Sequence, residues 1–415
     1  MPPRSSSLDA LRLPEVRAFI GAIGSFTFAS RALAVVIGFQ IYQITHSAMS
    51  LGWLGLIEAI PALSLVLFGG YVADHYDRRR ILLITRSASL LCALTLAAIS
   101  LQGGKESLWS LYAVIFLAGI ARGFADPANA AFESQVVPRH LTINGASWIS
   151  SMWISASIMG PGVIGFIFEA RGAVGAYITI AVFFMLSILT TLMIAPKPVP
   201  VPEKKEPLLK SIALGWHFVF SRQPLWGAMA LDLFAVLFGG AIALLPIYAS
   251  DILHVGAGGF GLLNAATSVG ALVTTLAATR HPPIARAGRN LFIAVIGFGA
   301  SILVFAFSRN FWLSIVALFF SGAFDGISMV IRRSMTRLLT PNELRGRVSS
   351  VGFIFICASN ELGAFESGMI AAWIGTVPCV AAGGVITFLV AGITALAAPE
   401  LRRLRFDRTT MEQKL

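Results

Sequence analysis

Apolar residues along this chain come in runs of about twenty, broken by short polar loops. Each run is long enough for a helix to cross a hydrocarbon core of about 30 Å. The pattern predicts spans at 18–44, 51–73, 81–102, 108–130, 145–168, 173–195, 225–249, 257–279, 290–308, 311–331, 348–371 and 375–398. Ahead of the first, Met1 to Arg17 carries Arg4, Arg12 and Arg17 with two acids. That first run is longer than a signal-peptide core and has no small-residue cleavage site, so it reads as a retained span. The expected fold is an all-α membrane protein of twelve transmembrane helices.

Composition removes the soluble alternative. The 415 residues are 56% hydrophobic and only 12% charged, against about a quarter charged in soluble domains. Basic residues then orient the spans. One set of loops holds Arg78, Arg79, Arg80, Arg139, Lys197, Lys204, Lys205, Lys210, Arg222, Arg280, Arg286, Arg289, Arg332, Arg333, Arg337, Arg345 and Arg347. The opposite loops hold little more than Lys105, Arg171 and Arg309. By the positive-inside rule both termini are cytoplasmic, in the cell (inner) membrane. The net charge of +11 then belongs to loops facing anionic lipid headgroups of the bilayer, and no nucleic-acid partner is expected. Cys92, Cys357 and Cys379 all fall inside spans without metal-ligand spacing, so neither a metal site nor a disulfide framework is expected.

The longest loop carries PKPVPVPEKKEPLLK, a proline- and lysine-rich stretch that favours extended backbone. It divides the chain into a six-helix bundle at 1–195, a cytoplasmic linker at 196–224, a second bundle at 225–398 and a basic cytoplasmic tail at 399–415. Within the linker, 207–220 can form a short surface helix. A linker at the midpoint predicts that the halves repeat. A gapless shift of 203 residues aligns Gly119 with Gly322, Gly123 with Gly326, Pro138 with Pro341, Gly160 with Gly363, Gly165 with Gly368, and Gly172 with Gly375. The matches concentrate on glycine and proline, where backbone geometry and close helix approach restrict the choice. The halves are expected to be pseudo-symmetric, with spans four and five equivalent to ten and eleven.

Between spans two and three lies the segment from Gly69 to Arg80, GGYVADHYDRRR. It resembles the signature loop of the major facilitator superfamily, G-x-x-x-D-[RK]-x-G-[RK]-[RK], through Gly70, Asp74, Arg78 and Arg79. His75 stands where a base is usual and Asp77 where a glycine is usual. Gly70 is expected to permit close helix contact, and Asp74 to sit against a helix dipole or an arginine at a cytoplasmic seam. In the family this loop latches the cytoplasmic side. The competing reading is an ordinary basic loop after a helix, and twelve spans with a half-repeat weigh against it. The second-half counterpart, RHPPIARAGR at 280–289, keeps only Arg-Ala-Gly-Arg. Span five contains Gly160-Pro161 and Gly165, which look like a partial version of the bend motif of drug:proton antiporters. The arginine usual in span four of those antiporters would fall near Ile115; Arg122 lies two turns later, which puts their coupling mechanism in doubt here. Thr45-His46-Ser47, the Gly70 to Asp74 stretch, Gly119 with Gly123-Phe124, and Pro341 with Arg345-Gly346-Arg347 resemble the exporter branch that includes macrolide-efflux and enterobactin-exporter proteins. The resemblance implies twelve helices in two bundles, a central cavity and alternating access, and says much less about substrate.

An ionised side chain near the bilayer centre costs about 2.5–3.5 kcal/mol on insertion scales and so needs a partner or a wet cavity. The proton-coupling candidates are Glu58, three residues before Pro61 in span two, Asp232 in span seven, and Glu361 and Glu366 in span eleven. A carboxylate in an apolar cavity is the group that can carry a proton near neutral pH. Ion-pair or gating candidates are Arg31, a possible partner of Glu58, together with Arg122, Asp126 and Asp325. Arg122 and Asp126 are one helical turn apart and can pair. Under the repeat Arg122 matches Asp325, so the two could bridge the halves or serve separately. Gln40, Gln43, Asn264, Asn360, Phe39 and Phe234 are candidates to line a substrate cavity, although intramembrane aromatics more often merely pack.

These features together point to a proton-coupled exporter of an amphiphilic, drug-, macrolide- or siderophore-like molecule, acting as a monomer with no cofactor beyond the proton gradient. The alternative within transport is a lipid or lysolipid flippase. Outside transport, a membrane enzyme is opposed by the lack of metal spacing, nucleophile elbow or phosphate loop. A non-transporting receptor or scaffold is the remaining class.

Overall fold

The computed structural model describes residues 9–102, 107–198, 208–341 and 344–406, with all but a few of their side chains. A short α1 (Asp9–Arg12) precedes α2 (Pro14–Thr45), whose first turn opens on proline, where no amide donor is missed. α2 ends at His46, a left-handed residue whose N–H returns to the Tyr42 carbonyl. Next come α3 (Ala48–His75), α4 (Arg78–Ser100) and α5 (Leu108–Val136), then α6 (Thr142–Leu192), which holds spans five and six. The legs of α6 meet at Gly172, φ 66° and ψ −173°, a conformation essentially reserved to glycine.

α7 (Leu208–Phe220) is the expected linker helix; residues 199–207 of the linker lie outside the described residues. Span seven is discontinuous: α8 (Gln223–Gly239) stops at Gly240, followed by a 3₁₀ turn at Ala241–Leu244, α9 (Leu245–Ile247) and a π turn at Tyr248–Ile252. Then come α10 (Gly256–Arg280), α11 (Ala287–Phe307), α12 (Phe311–Leu339), α13 (Arg345–Ile374), α14 (Thr376–Ala397) and α15 (Pro399–Arg403). Residues 407–415 of the tail lie outside the described residues. Ten of the described helices are long and apolar enough to cross a membrane. With α6 supplying two spans and α13 added, the architecture is twelve crossings. α12 runs eight residues past the apolar limit expected at 331, because arginine is a good helix former and the helix need not stop where apolarity does.

The chain gathers into two compact units: Met1–His46, Leu56–Glu203 and Gly256–Ala265 in one, Ser47–Gly55, Lys204–Val255 and Ala266–Leu415 in the other. The first few turns of α3 and of α10 thus cluster with the unit opposite to the rest of their helix. The first unit is centred on Phe19, Leu82, Phe132 and Ile194, all fully buried; the second on Leu231, Leu291, Ile331 and Leu401. Large apolar side chains also lie bare on the surface, among them Ile84, Leu91, Trp109, Leu389 and Leu396. Such a surface suits lipid and not water.

Inside each unit the glycines matched by the 203-residue shift occupy corresponding crossings. A Cβ on Gly160 would lie 2.8 Å from the Phe28 carbonyl oxygen of span one, and one on Gly363 would lie 2.8 Å from the Leu237 carbonyl oxygen of span seven. Gly119 abuts the Glu58 carbonyl on α3, as Gly322 abuts the Thr267 carbonyl on α10. Gly375, at φ 92° and ψ 158°, joins α13 to α14 in the conformation that Gly172 gives the middle of α6.

Candidate functional site

The first unit carries an ionic cluster halfway along its helices. Glu58 sits on α3 one turn before Pro61, and Gly119 lets α5 approach that turn closely, bringing Arg122 to it. Arg122 Nη1 donates to Glu58 Oε1 at 2.9 Å, and its Nε stands 3.7 Å from Asp126 Oδ2 one turn on. Arg31 on α2 lies 5.7 Å over the Trp153 ring and acts electrostatically on Asp126 as well. The three side chains of the core cluster are 31–47% exposed. Arg31 lies over the Trp153 ring, and Arg122 is bonded to Glu58.

The second unit has a different cluster. Arg332 of α12 donates through Nη1 to Asp232 Oδ2 on α8 and through Nε to Ser328 Oγ at 3.2 Å; its Nη2 stands 3.9 Å from Asp325 Oδ1. Side-chain exposure falls from 41% at Asp325 to 14% at Arg332 and 7% at Asp232. Arg122 and Asp325, matched by the repeat, each find an ion-pair partner inside their own unit. Arg332 was grouped by sequence with the loop bases; the continuation of α12 lifts it into this cluster. On α13, Glu361 and Glu366 are both half-buried, and Ser367 donates to Glu366.

The signature loop is built from hydrogen bonds to exposed helix ends. Arg78 donates through Nε to the Ala73 carbonyl at 2.9 Å, through Nη1 to the Ala131 carbonyl at 3.0 Å, and pairs with Asp74 at 3.7 Å. Arg79 reaches the carbonyls of Thr191 and Leu192 at the end of α6. At Ala73, Thr191 and Leu192 these bonds satisfy acceptors that a helix C-terminus leaves over. Asp77, in the usual glycine position, caps α4 by accepting from the Arg79 and Arg80 amides. Gly70 does not make the close contact expected of it: a Cβ there would meet nothing within 4 Å. Gly69 does, against the backbone of Gly123. One residue of helix is a 100° rotation, which carries the packed face from Gly70 to Gly69.

Two of the cavity candidates are core residues instead. Gln40 is 4% exposed, donating to Ser100 Oγ at 2.8 Å and accepting from Tyr177 Oη at 2.6 Å. Phe39 is 3% exposed and wedged against Phe168 and Phe260. Gln43 is exposed, Asn264 half-buried, and Asn360 exposed with its amide donating to Ile356 of its own helix. Phe234 is 41% exposed and stacked on Phe238. In span five, Gly160 and Pro161 pack by backbone contact and Gly165 lies against Ala257 and Gly261.

Arg86 was missed altogether. It lies in LLITRSASLL, inside an apolar run, and is 1% exposed. Its guanidinium donates to Asn129 Oδ1 at 3.0 Å, to the Ser187 carbonyl at 3.3 Å and to Thr191 Oγ1, and faces the Phe26 ring. A single base in an otherwise apolar run was the available signal.

Against known proteins, the transmembrane secretion effector family matches residues 16–412. The chain belongs to that family. It has the major facilitator fold, and the family's members are transporters, not enzymes. The enterobactin exporters of Shigella boydii serotype 18 and of Escherichia coli O139:H28 are each 24% identical over 375 residues, covering 90% of this chain and 89% of theirs. Among solved structures, a POT family transporter in complex with 5-aminolevulinic acid superposes with a TM-score of 0.74 at 12% identity, over 93% of this chain and 96% of that one. A bacterial homologue of the human lysosomal transporter Spinster, inward-facing and unoccupied, gives 0.71 at 15% identity, over 95% and 98%. The chain is therefore a multi-pass membrane transporter, with its charged clusters set on membrane-crossing helices.

Proposed function

We propose that this protein is a proton-coupled exporter of an amphiphilic, siderophore-like small molecule, working as a monomer by alternating access in the inner membrane. Both termini face the cytoplasm, and the proton gradient supplies the energy without a cofactor. The observation that carries the reading is the Glu58–Arg122–Asp126 cluster: three charged side chains halfway along membrane-crossing helices, each 31–47% exposed. Charges at that depth persist where a water-filled path reaches them, and such paths are what substrates and ions use. The relatives named as enterobactin exporters favour an outward direction and a siderophore-sized cargo. Glu361 and Glu366, half-buried on α13, are further acids that such a path can serve.

The test is export by bacteria deleted for their own exporters and expressing this chain, with enterobactin and a panel of amphiphilic drugs as cargo. Accumulation outside the cells is expected, and addition of a proton uncoupler is expected to stop it. A confirmed cargo whose export ignores the uncoupler defeats the coupling part of the proposal.

A further inference from the structure

The linker helix α7 has its level in the membrane fixed by what it is joined to and what it rests on. It ends two residues short of α8, where span seven enters the bilayer. Its Gly215 is set against the first turn of α13: a Cβ there would come 2.8 Å from the Arg347 carbonyl oxygen. Val219, fully buried, packs beside Leu225, Met229, Val348 and Val351. α7 is therefore seated across the opening turns of two membrane-crossing helices. The side turned away from them is bare. Trp216 is 42% exposed and Phe220 49%, and Ala213 is exposed with them. The Trp216 ring lies 5.3 Å from Phe220 and 5.6 Å from Phe355. Phe355 stands about 15 Å along α13 from its first residue, so the three rings run from α7 toward the bilayer interior.

Aromatic side chains at this level suit the boundary between headgroups and acyl chains. The polar positions of α7 fall on a different side. His217, also exposed, lies about 60° round the helix from Phe220, and Lys210, seven residues before it, shares its register. Charge agrees with that placement. Between residues 203 and 222 the sequence holds four bases, Lys204, Lys205, Lys210 and Arg222, against two acids. α13 opens with Arg345 and Arg347. Arg222 is exposed, its guanidinium 5.8 Å over the Phe218 ring. A basic rim beside an aromatic face fits an anionic phospholipid, whose chains meet the rings and whose phosphate meets the bases. A soluble protein would have to displace lipid to reach Trp216. We propose that α7 lies in the membrane surface with Trp216 and Phe220 among the acyl chains, and that Lys210 and Arg222 hold the headgroup of an anionic phospholipid. The site is independent of cargo and of coupling ion.

The test has two arms and uses the full chain. In the first, Cys92, Cys357 and Cys379 are replaced by serine, and a nitroxide is attached through Phe220→Cys or His217→Cys in nanodiscs of phosphatidylcholine and phosphatidylglycerol. Relaxation of each label by oxygen, which collects among acyl chains, is compared with relaxation by a water-soluble nickel chelate. The label at position 220 is expected to favour oxygen, and the one at 217 to favour nickel. The same preference at both positions overturns the placement of α7. Protection of position 220 from both reagents overturns it too, since protein would then cover the aromatic face. The second arm keeps the native cysteines, so it decides the lipid site even if the labelled variants do not fold. Native mass spectrometry compares the phosphatidylglycerol and phosphatidylcholine that the chain retains from an equal mixture. Phosphatidylglycerol is expected to be preferred, and Lys210→Gln and Arg222→Gln each to lower that preference about fivefold. Equal retention of the two lipids, or a preference unchanged in both variants, overturns the anionic site.

Discussion

The two units place charge at the same level of equivalent helices and do so with opposite sign. Arg122 in span four corresponds to Asp325 in span ten. The Glu58 carbonyl that Gly119 touches corresponds to that of Thr267, touched by Gly322. The first unit thus takes its acid from span two, while the second has a threonine there and takes its acid from span seven, as Asp232. The backbone crossings are repeated and the chemistry is not. Close packing at glycine constrains both copies equally, whereas a cluster facing water is free to diverge once one copy no longer duplicates the other's task.

The largest expected effect separates the clusters by burial. Arg332 is 14% exposed and its partner Asp232 7%. Arg332→Gln leaves a buried carboxylate without its cation, a change that costs about 3–5 kcal/mol where such pairs have been broken. Arg122 is 42% exposed and Glu58 31%, so Arg122→Gln is expected to cost about 0.2–1 kcal/mol, as for solvent-reached pairs. Thermal unfolding of the two purified variants measures the gap. Equal losses would mean that the clusters are equally dry and that the contrast drawn between them is wrong.

Next in size is the pair of glycine joints. Gly172 and Gly375 sit at φ 66° and 92° with ψ near 180°, where a Cβ is strained by of order 1–3 kcal/mol. Gly172→Ala and Gly375→Ala are both expected to lower the unfolding temperature, and by similar amounts, because neither joint has a neighbour crowding the new methyl beyond ordinary contact. A loss at one joint only would show that the halves are not equivalent there.

Much of this was legible in the sequence because it is set by length and by backbone. Runs of about twenty apolar residues locate the crossings, and the 203-residue shift picks out glycines whose backbone contacts prove to be paired. Side-chain partnerships were not legible. Arg332 counts as a loop base on hydropathy, yet α12 continues to Leu339 and turns it toward Asp232. Gln40 has the chemistry of a cargo contact, but it is buried on Tyr177 and Ser100, both distant in sequence. Arg86 hides in an apolar run because its hydrogen-bond partners, Asn129, Ser187 and Thr191, come from two other helices. The resemblance that named the signature loop could not say whether Gly69 or Gly70 faces the neighbouring helix, since that depends on rotation about α3.

The smallest effect concerns that loop, where the halves differ again. In the first unit side chains do the fastening: Arg79 bonds the Leu192 carbonyl at the end of span six. In the second, Gly288 near the start of α11 comes close enough that its amide donates directly to Leu404 and a Cβ there would run into the Leu401 carbonyl, after span twelve. Asp77 belongs to the first arrangement, since Arg286, which precedes α11, makes no side-chain cap. If Asp77 acts only as a cap, then Asp77→Gly, which restores the family's usual residue, is expected to cost a few tenths of a kcal/mol, while Asp77→Ala costs about 1 kcal/mol. Glycine leaves the capping backbone free to adopt its conformation and admits water to the α4 amides; alanine does neither as well. Unfolding temperatures in that order support a cap. A larger loss in Asp77→Gly than in Asp77→Ala would mean that stiffness of the loop backbone matters more than water's access to its amides.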